Sequence, residues 1–155
     1  MNTLINKTLS SSATFAPLAL RVPAGIIFMA HGAQKLFGWF GGYGLEGTGK
    51  WMASIGLEPG FLMALMAGGA EFFGGLFILL GLLTRPTALV LAVTMVVAIV
   101  TVHLDKGLFI SNGGYEFGLA LLAMSVSLLV SGAGRLSVDS LLLSSRQQNK
   151  SPALA

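Results

Sequence analysis

The sequence predicts an all-α membrane protein: an antiparallel four-helix transmembrane bundle with a structured, glycine- and aromatic-rich loop between its first two helices. Three observations carry this. Four apolar stretches, about 15–37, 61–83, 87–104 and 115–131, fill most of the 155 residues. Each is close to the roughly 20 residues a helix needs to cross a bilayer. Hydrophobic residues make up 54% of the chain and charged residues 10%, against about 25% charged in a soluble domain. The polar residues inside the stretches fall mostly at one end of them.

Three regions follow. Residues 1–14 are a polar, Ser/Thr-rich tail expected to be disordered, 15–135 form the membrane domain, and 136–155 form a C-terminal tail. From about Ser144 that tail shows no apolar period. The first stretch reads as a retained span. It is too long for a signal h-region, it contains Arg21 and Pro23, and His31 and Lys35 stand where a small-residue cleavage site would lie. Asn6-Lys7-Thr8 fits a glycosylation sequon, but a tail beside a membrane span is a poor setting for one.

Helix 2 follows a glycine-rich turn, 38–49, and a short amphipathic helix, 50–55, ended by Gly56 and Pro59. Trp51, Met52 and Ile55 suit the membrane interface, and the segment has a second reading as a lid over the site. Gly44-x-x-x-x-Gly49-Lys50 imitates a phosphate-binding loop. Trp51 stands where the magnesium-binding hydroxyl should be, and no strand precedes it. Thr84-Arg85-Pro86 makes a tight connection whose proline opens helix 3. Helix 4 starts near Tyr115.

With four spans, both termini share a side. That side carries Lys7, Arg21, Arg85, Arg135, Arg146 and Lys150, and the other carries Lys35, Lys50 and Lys106. The bias places the termini in the cytoplasm. The tryptophans and tyrosines, Trp39, Trp51, Tyr43 and Tyr115, all lie on the far side. The net charge of +3 is made of scattered basic residues flanking the spans, which fits membrane anchoring and not a nucleic-acid partner. There is no cysteine, so disulfides, thiolate catalysis, iron–sulfur ligation and cysteine zinc sites are excluded.

His31, Lys35, Glu71, His103 and Glu116 are the candidate ligand-binding or proton-transfer residues, because ionisable groups within a membrane are costly to keep. His31 and Lys35, four apart, share a face of helix 1. Glu71 lies ten residues beyond Phe61, roughly 15 Å into helix 2. His103 ends helix 3 with Asp105 and Lys106 just beyond, and Glu116 opens helix 4. Small residues mark two packing stripes: Ala64, Gly68, Glu71 and Gly75, and Glu116, Ala120, Ala123, Ser127 and Ser131. Leu76, Leu79, Leu119 and Leu122 fall off these stripes, towards lipid. Gly68-Gly69-Ala70-Glu71-Phe72 echoes Gly113-Gly114-Tyr115-Glu116-Phe117, which fits either a duplicated hairpin or a chance match in a glycine-rich chain.

Three readings of the polar set stand side by side. His31, Glu71, His103 and Glu116 have the donor chemistry of a metal site. A second reading makes them a set of buried salt bridges, His or Lys against Glu, that hold the helices in register. Or they form a small-molecule or quinone site, with His31 and Glu71 handling protons and Phe72, Phe73 and Tyr115 giving flat contacts. Lys35, Lys106 and Arg21 also have a simpler reading, snorkelling to the headgroups.

The sequence resembles the DoxX family of small bacterial inner-membrane proteins. The resemblance covers about 15–135. It rests on His31-Gly32-x-x-Lys35-Leu36-Phe37-Gly38, Trp51-Met52-Ala53-Ser54-Ile55-Gly56-Leu57, Glu71-Phe72-Phe73-Gly74-Gly75, Gly81-Leu82-Leu83-Thr84-Arg85, and His103…Lys106-Gly107…Asn112-Gly113-Gly114-Tyr115-Glu116. It implies a multi-pass four-helix protein of the bacterial inner membrane, in a redox or oxidative-stress setting with redox or membrane protein partners. The family name comes from thiosulfate:quinone oxidoreductase, but with no cysteine a sulfur relay through a protein thiol does not transfer. The expected function is a subunit of a membrane redox system, catalytic or accessory, binding quinone or a similar small molecule in the outer half of the bundle. The alternative is a non-enzymatic assembly or transport subunit whose polar cluster is structural.

Overall fold

The computed structural model describes residues 15–148. The expected tail 1–14, with its Asn6 sequon, lies outside them. Among the described residues the regular structure is helical, and three helices are long and apolar enough to cross a membrane: Ala16–Phe37 with 22 residues, Gly60–Leu80 with 21 and Thr84–Lys106 with 23. A shorter apolar helix, Glu116–Ser131, has 16 residues.

Helix α1, Ala16–Phe37, opens with Pro17 in its first turn and stops at Gly38, whose φ of 74° is one that glycine tolerates best. A 3₁₀ turn, Trp39–Gly41, leads to α2, Gly44–Ser54. Helix α3, Gly60–Leu80, ends at Gly81 (φ 66°). Helix α4, Thr84–Ala98, carries Pro86 in its first turn. It continues through a wider π turn, Ile99–His103, and a tight 3₁₀ turn, Leu104–Lys106. A turn at Ile110–Asn112 precedes α5, Glu116–Ser131, and α6, Val138–Gln148, follows.

Helices α1 and α3 meet backbone to backbone. A Cβ on Gly32 would lie 2.3 Å from the Phe72 amide nitrogen, and one on Gly75 would lie 2.6 Å from that of Met29. No side chain fits there, so these glycines set the approach of the two helices. The rest of the core is larger. Ala24, Phe28, Ile78, Ala88, Leu91, Met95, Leu121 and Leu128 form one buried cluster. Leu91 fills the space over Gly74, so α4 meets α3 through a leucine.

One packing stripe stands as expected, and several other expectations are corrected. On α3 the stripe Ala64, Gly68, Glu71 and Gly75 is buried. On α5, Ala120, Ala123, Ser127 and Ser131 are exposed, and the buried face is Leu121, Ser125 and Leu128. The reason is packing type: α5 contributes to the leucine-rich core and needs bulk there, whereas small residues mark an interface only where two backbones close together. Leu122 therefore packs against the core. Leu79 is half-buried, with its backbone 2.9 Å from where a Cβ on Gly25 would stand.

The loop helix begins at Gly44, not at 50, and Thr48, Gly49 and Met52 are its packing side. Low glycine propensity hid it, and tertiary contact overrides propensity here. Part of the expected C-terminal tail is the helix α6. Its start has reciprocal caps: the Ser140 amide donates to Ser137 Oγ at 3.2 Å, and the Ser137 amide donates to Ser140 Oγ at 3.4 Å. This resembles a capping box in which serine replaces the usual Glu.

Candidate functional site

The close approach at Gly32 brings the last turns of α1 against the middle of α3. There Lys35 Nζ lies 2.5 Å from Glu71 Oε2. It is the one ion pair among the described residues. Glu71 is almost wholly buried, its side chain 5% exposed, and Lys35 is 24% exposed. The lysine therefore does not snorkel. Its charge is held by a carboxylate that would be expensive to bury alone.

The loop between α1 and α3 folds over this level. Thr48 Oγ1, buried on α2, donates to the Lys35 carbonyl at 3.4 Å. A Cβ on Gly42 would lie 2.4 Å from the Gln34 carbonyl oxygen, and one on Gly60 would lie 2.2 Å from that of Gly49. Glycines thus let the loop lie on the end of α1 and the start of α3. The same turns of α1 and α3, with the residues just after α1, carry a chain of rings. Phe37 and Phe72 meet edge to face at 5.2 Å, as do Phe72 and Phe73 at 5.3 Å, while Phe37 and Trp39 tilt at 5.1 Å. Phe37, Trp39 and Phe73 are at least half exposed, at 50%, 56% and 55%.

His31 is half-buried, and its ring centroid lies 5.8 Å from that of Phe117 on α5. His103 and Glu116 act elsewhere, on the connection between α4 and α5. His103 Nδ1 donates to the Gly113 carbonyl at 2.6 Å, which leaves Nε2 as the other ring nitrogen. Glu116 Oε1 accepts from the Ile110 amide at 2.6 Å. The Tyr115 and Glu116 amides donate to the Gly107 and Leu108 carbonyls. Lys106 lays its stem over Gly113, and Asp105 is exposed. Tyr115 belongs to this loop rather than to the ring chain.

Among the described residues no three His, Asp or Glu side chains come together as a metal-binding group. The donor set His31, Glu71, His103 and Glu116 does not form, because two of its members brace a loop and Glu71 is paired with lysine.

The sequence reading missed a second polar cluster, at the turn joining α3 to α4. Arg21 is completely buried there and does not snorkel. Its Nη2 donates to the carbonyls of Leu136 at 3.0 Å and Arg135 at 3.3 Å. A Cβ on Gly81 would overlap its Nη1. Asp139 ties the turn down: Oδ1 accepts from the Leu83 amide at 2.8 Å, Oδ2 from the Thr84 amide at 3.0 Å, and the Asp139 amide donates to the Gly81 carbonyl at 2.9 Å. Leu83 is held at φ 46°, a left-handed conformation unusual for leucine. A signal was available. Pro17, Arg21, Ala24 and Phe28 repeat at spacing 4, 3, 4, so Arg21 stands on the core face of α1.

The DoxX family model matches residues 16–104. The chain is 38% identical over 131 residues, 84% of its length and 90% of the other's, to a Bacillus subtilis protein named "Putative oxidoreductase CatD". It is 33% identical over 131 residues, 81% of its length and 90% of the other's, to the inner membrane protein YqjF of Escherichia coli. A similar match, 33% over 133 residues, covers 79% of this chain and 78% of the Mycobacterium tuberculosis membrane protein Rv3486. No solved structure matches. The chain belongs to the DoxX family of membrane proteins.

Proposed function

We propose that this DoxX-family protein serves a membrane redox system, holding a quinone or a similar flat small molecule beside the Lys35–Glu71 pair. One observation carries the reading. An ion pair with a buried carboxylate shares its helix turns with a run of partly exposed rings, Phe37, Trp39, Phe72 and Phe73. An ammonium offers donors to a carbonyl oxygen, a carboxylate accepts from a hydroxyl, and aromatic faces take a flat ring. The word oxidoreductase in the name of CatD supports the same direction.

In this reading α5 crosses the bilayer with α1, α3 and α4, completing an antiparallel four-helix bundle over 15–135. Its 16 residues span about 24 Å, less than a hydrocarbon core of about 30 Å, a mismatch that bilayer thinning accommodates. The Lys/Arg bias puts the termini on the cytoplasmic side of a bacterial inner membrane.

A second reading has its own support: Lys35 and Glu71 already satisfy one another, as a purely structural pair in an assembly or transport subunit would. Native mass spectrometry of the mildly solubilised protein, with solvent extraction of its bound small molecules, separates the two. The redox reading expects a quinone at near-stoichiometric amount. The structural reading expects lipid and a protein partner only.

A further inference from the structure

We infer that the end of the molecule at the α3–α4 turn carries a binding site for one anionic phospholipid, its headgroup on Arg135 and its upper acyl chain on a leucine wall. An open, shallow hollow of about 440 Å³ lies there between the end of α3 and the start of α6. Leu80, Leu136, Val138 and Leu141 form most of its lining, and Arg135 is its only charged residue. Leu136 is 71% exposed and Leu141 66%. In a membrane protein such leucines meet acyl chains.

The polar groups at this hollow are already committed, apart from one. Ser137 Oγ donates to the Gly134 carbonyl and Ser140 Oγ to the Ser137 carbonyl. Both Asp139 oxygens accept backbone amides at the turn. The Arg135 guanidinium is exposed and makes no ion pair among the described residues.

A second positive charge stands directly behind the wall. Arg21 holds the carbonyls of Arg135 and Leu136, and its Nε and Nη1 have no hydrogen-bond partner among the described residues. Arg85 adds a third at the same end: it donates to the Val130 carbonyl and lies 3.4 Å from where a Cβ on Gly132 would stand. Against these three charges the described residues there set only Asp139. The field at the hollow is therefore positive, and low-dielectric surroundings strengthen it. A free phosphate would meet the charge but gain nothing from four aliphatic side chains. A phospholipid with a net negative headgroup satisfies both.

The test is native mass spectrometry of the full-length protein in mild detergent, with equal amounts of phosphatidylglycerol and phosphatidylcholine added. Wild type is expected to retain phosphatidylglycerol preferentially, with one molecule bound most tightly. Arg135→Gln should weaken that binding about fivefold, the effect of one basic contact near a membrane surface, while Arg135→Lys keeps it. Leu136→Ser with Leu141→Ser should weaken both lipids alike. Lys50→Gln, at the opposite end, should leave retention unchanged. Equal retention of the two lipids by wild type would overturn the site. So would an Arg135→Gln protein that keeps full selectivity, or a loss as large in Lys50→Gln, which would mean attraction by total charge alone. None of these outcomes depends on whether a quinone binds at the Lys35–Glu71 level.

Discussion

Lys35 Nζ and Glu71 Oε2 stand 2.5 Å apart on two helices whose backbones touch at Gly32 and Phe72. The contact is cause and consequence together. Glycine permits the approach, and the approach makes a carboxylate tolerable at a place where only 5% of its side chain is exposed. Removing Lys35 leaves a buried carboxylate alone, and removing Glu71 leaves a partly exposed ammonium alone. Lys35→Met is expected to destabilise the protein by about 3–5 kcal/mol and Glu71→Leu by less, because the stranded ammonium reaches the surface. The double variant should recover most of that loss. Thermal unfolding in detergent measures it, and additive losses in the double variant would show that the two charges do not depend on one another.

Glycines on α1 and α3 should differ in tolerance according to what a Cβ would meet. At Gly32 and Gly75 the neighbours are backbone atoms at 2.3 Å and 2.6 Å, which cannot swing aside. Gly32→Ala and Gly75→Ala should each cost about 1–3 kcal/mol. At Gly68 the neighbour is the Leu36 side chain, which can move, so Gly68→Ala should be milder. Gly69 faces open space, and Gly69→Ala should be neutral or slightly stabilising, since alanine favours the helix. Unfolding midpoints of the four variants give the order, and equal effects at Gly32 and Gly69 would contradict the packing described.

Asp139 caps the turn that starts α4. Asp139→Ala removes acceptors for the Leu83 and Thr84 amides while leaving Leu83 in its left-handed conformation. A loss of about 0.5–2 kcal/mol is expected, as for other helix caps. Limited proteolysis should then cut more readily between α5 and α6. Unchanged cleavage would mean that the Arg21 contacts alone secure α6.

His103 and Glu116 hold the connection between α4 and α5. His103→Phe and Glu116→Ala should speed hydrogen exchange at the Ile110 amide and its neighbours, with little effect on exchange in α1 and α3. Each should cost about 1 kcal/mol of local stability. Slower ligand binding with unaltered exchange would instead assign these residues to the site.

Hydropathy alone outlined the apolar segments because bilayer thickness fixes how long they must be. The stretch 15–37 corresponds to Ala16–Phe37, and 61–83 to Gly60–Leu80. Glu71 stood out as a carboxylate on a small-residue stripe. Its partner stood open between His and Lys, because Lys35 near a helix end snorkels equally well by sequence. Arg21 was obscured for the same reason, and its acceptors are main-chain carbonyls more than 100 positions away. Periodicity cannot show such partners. His103 and Glu116 looked like intramembrane ligands, yet their partners are backbone groups within the same short loop. The small stripe on α5 misled because small residues permit close packing without compelling it.

The most direct test is a titration of wild type and Glu71→Gln with a short-chain ubiquinone, read by tryptophan fluorescence. Trp39 packs against Phe37, two residues beyond Lys35, and a quinone bound there would quench it. A folded Glu71→Gln protein is expected to bind at least about tenfold more weakly, the loss of one charge-assisted hydrogen bond. Saturable quenching of wild type that Glu71→Gln leaves unchanged, or no saturable quenching of wild type, would contradict a ligand site at Lys35 and Glu71.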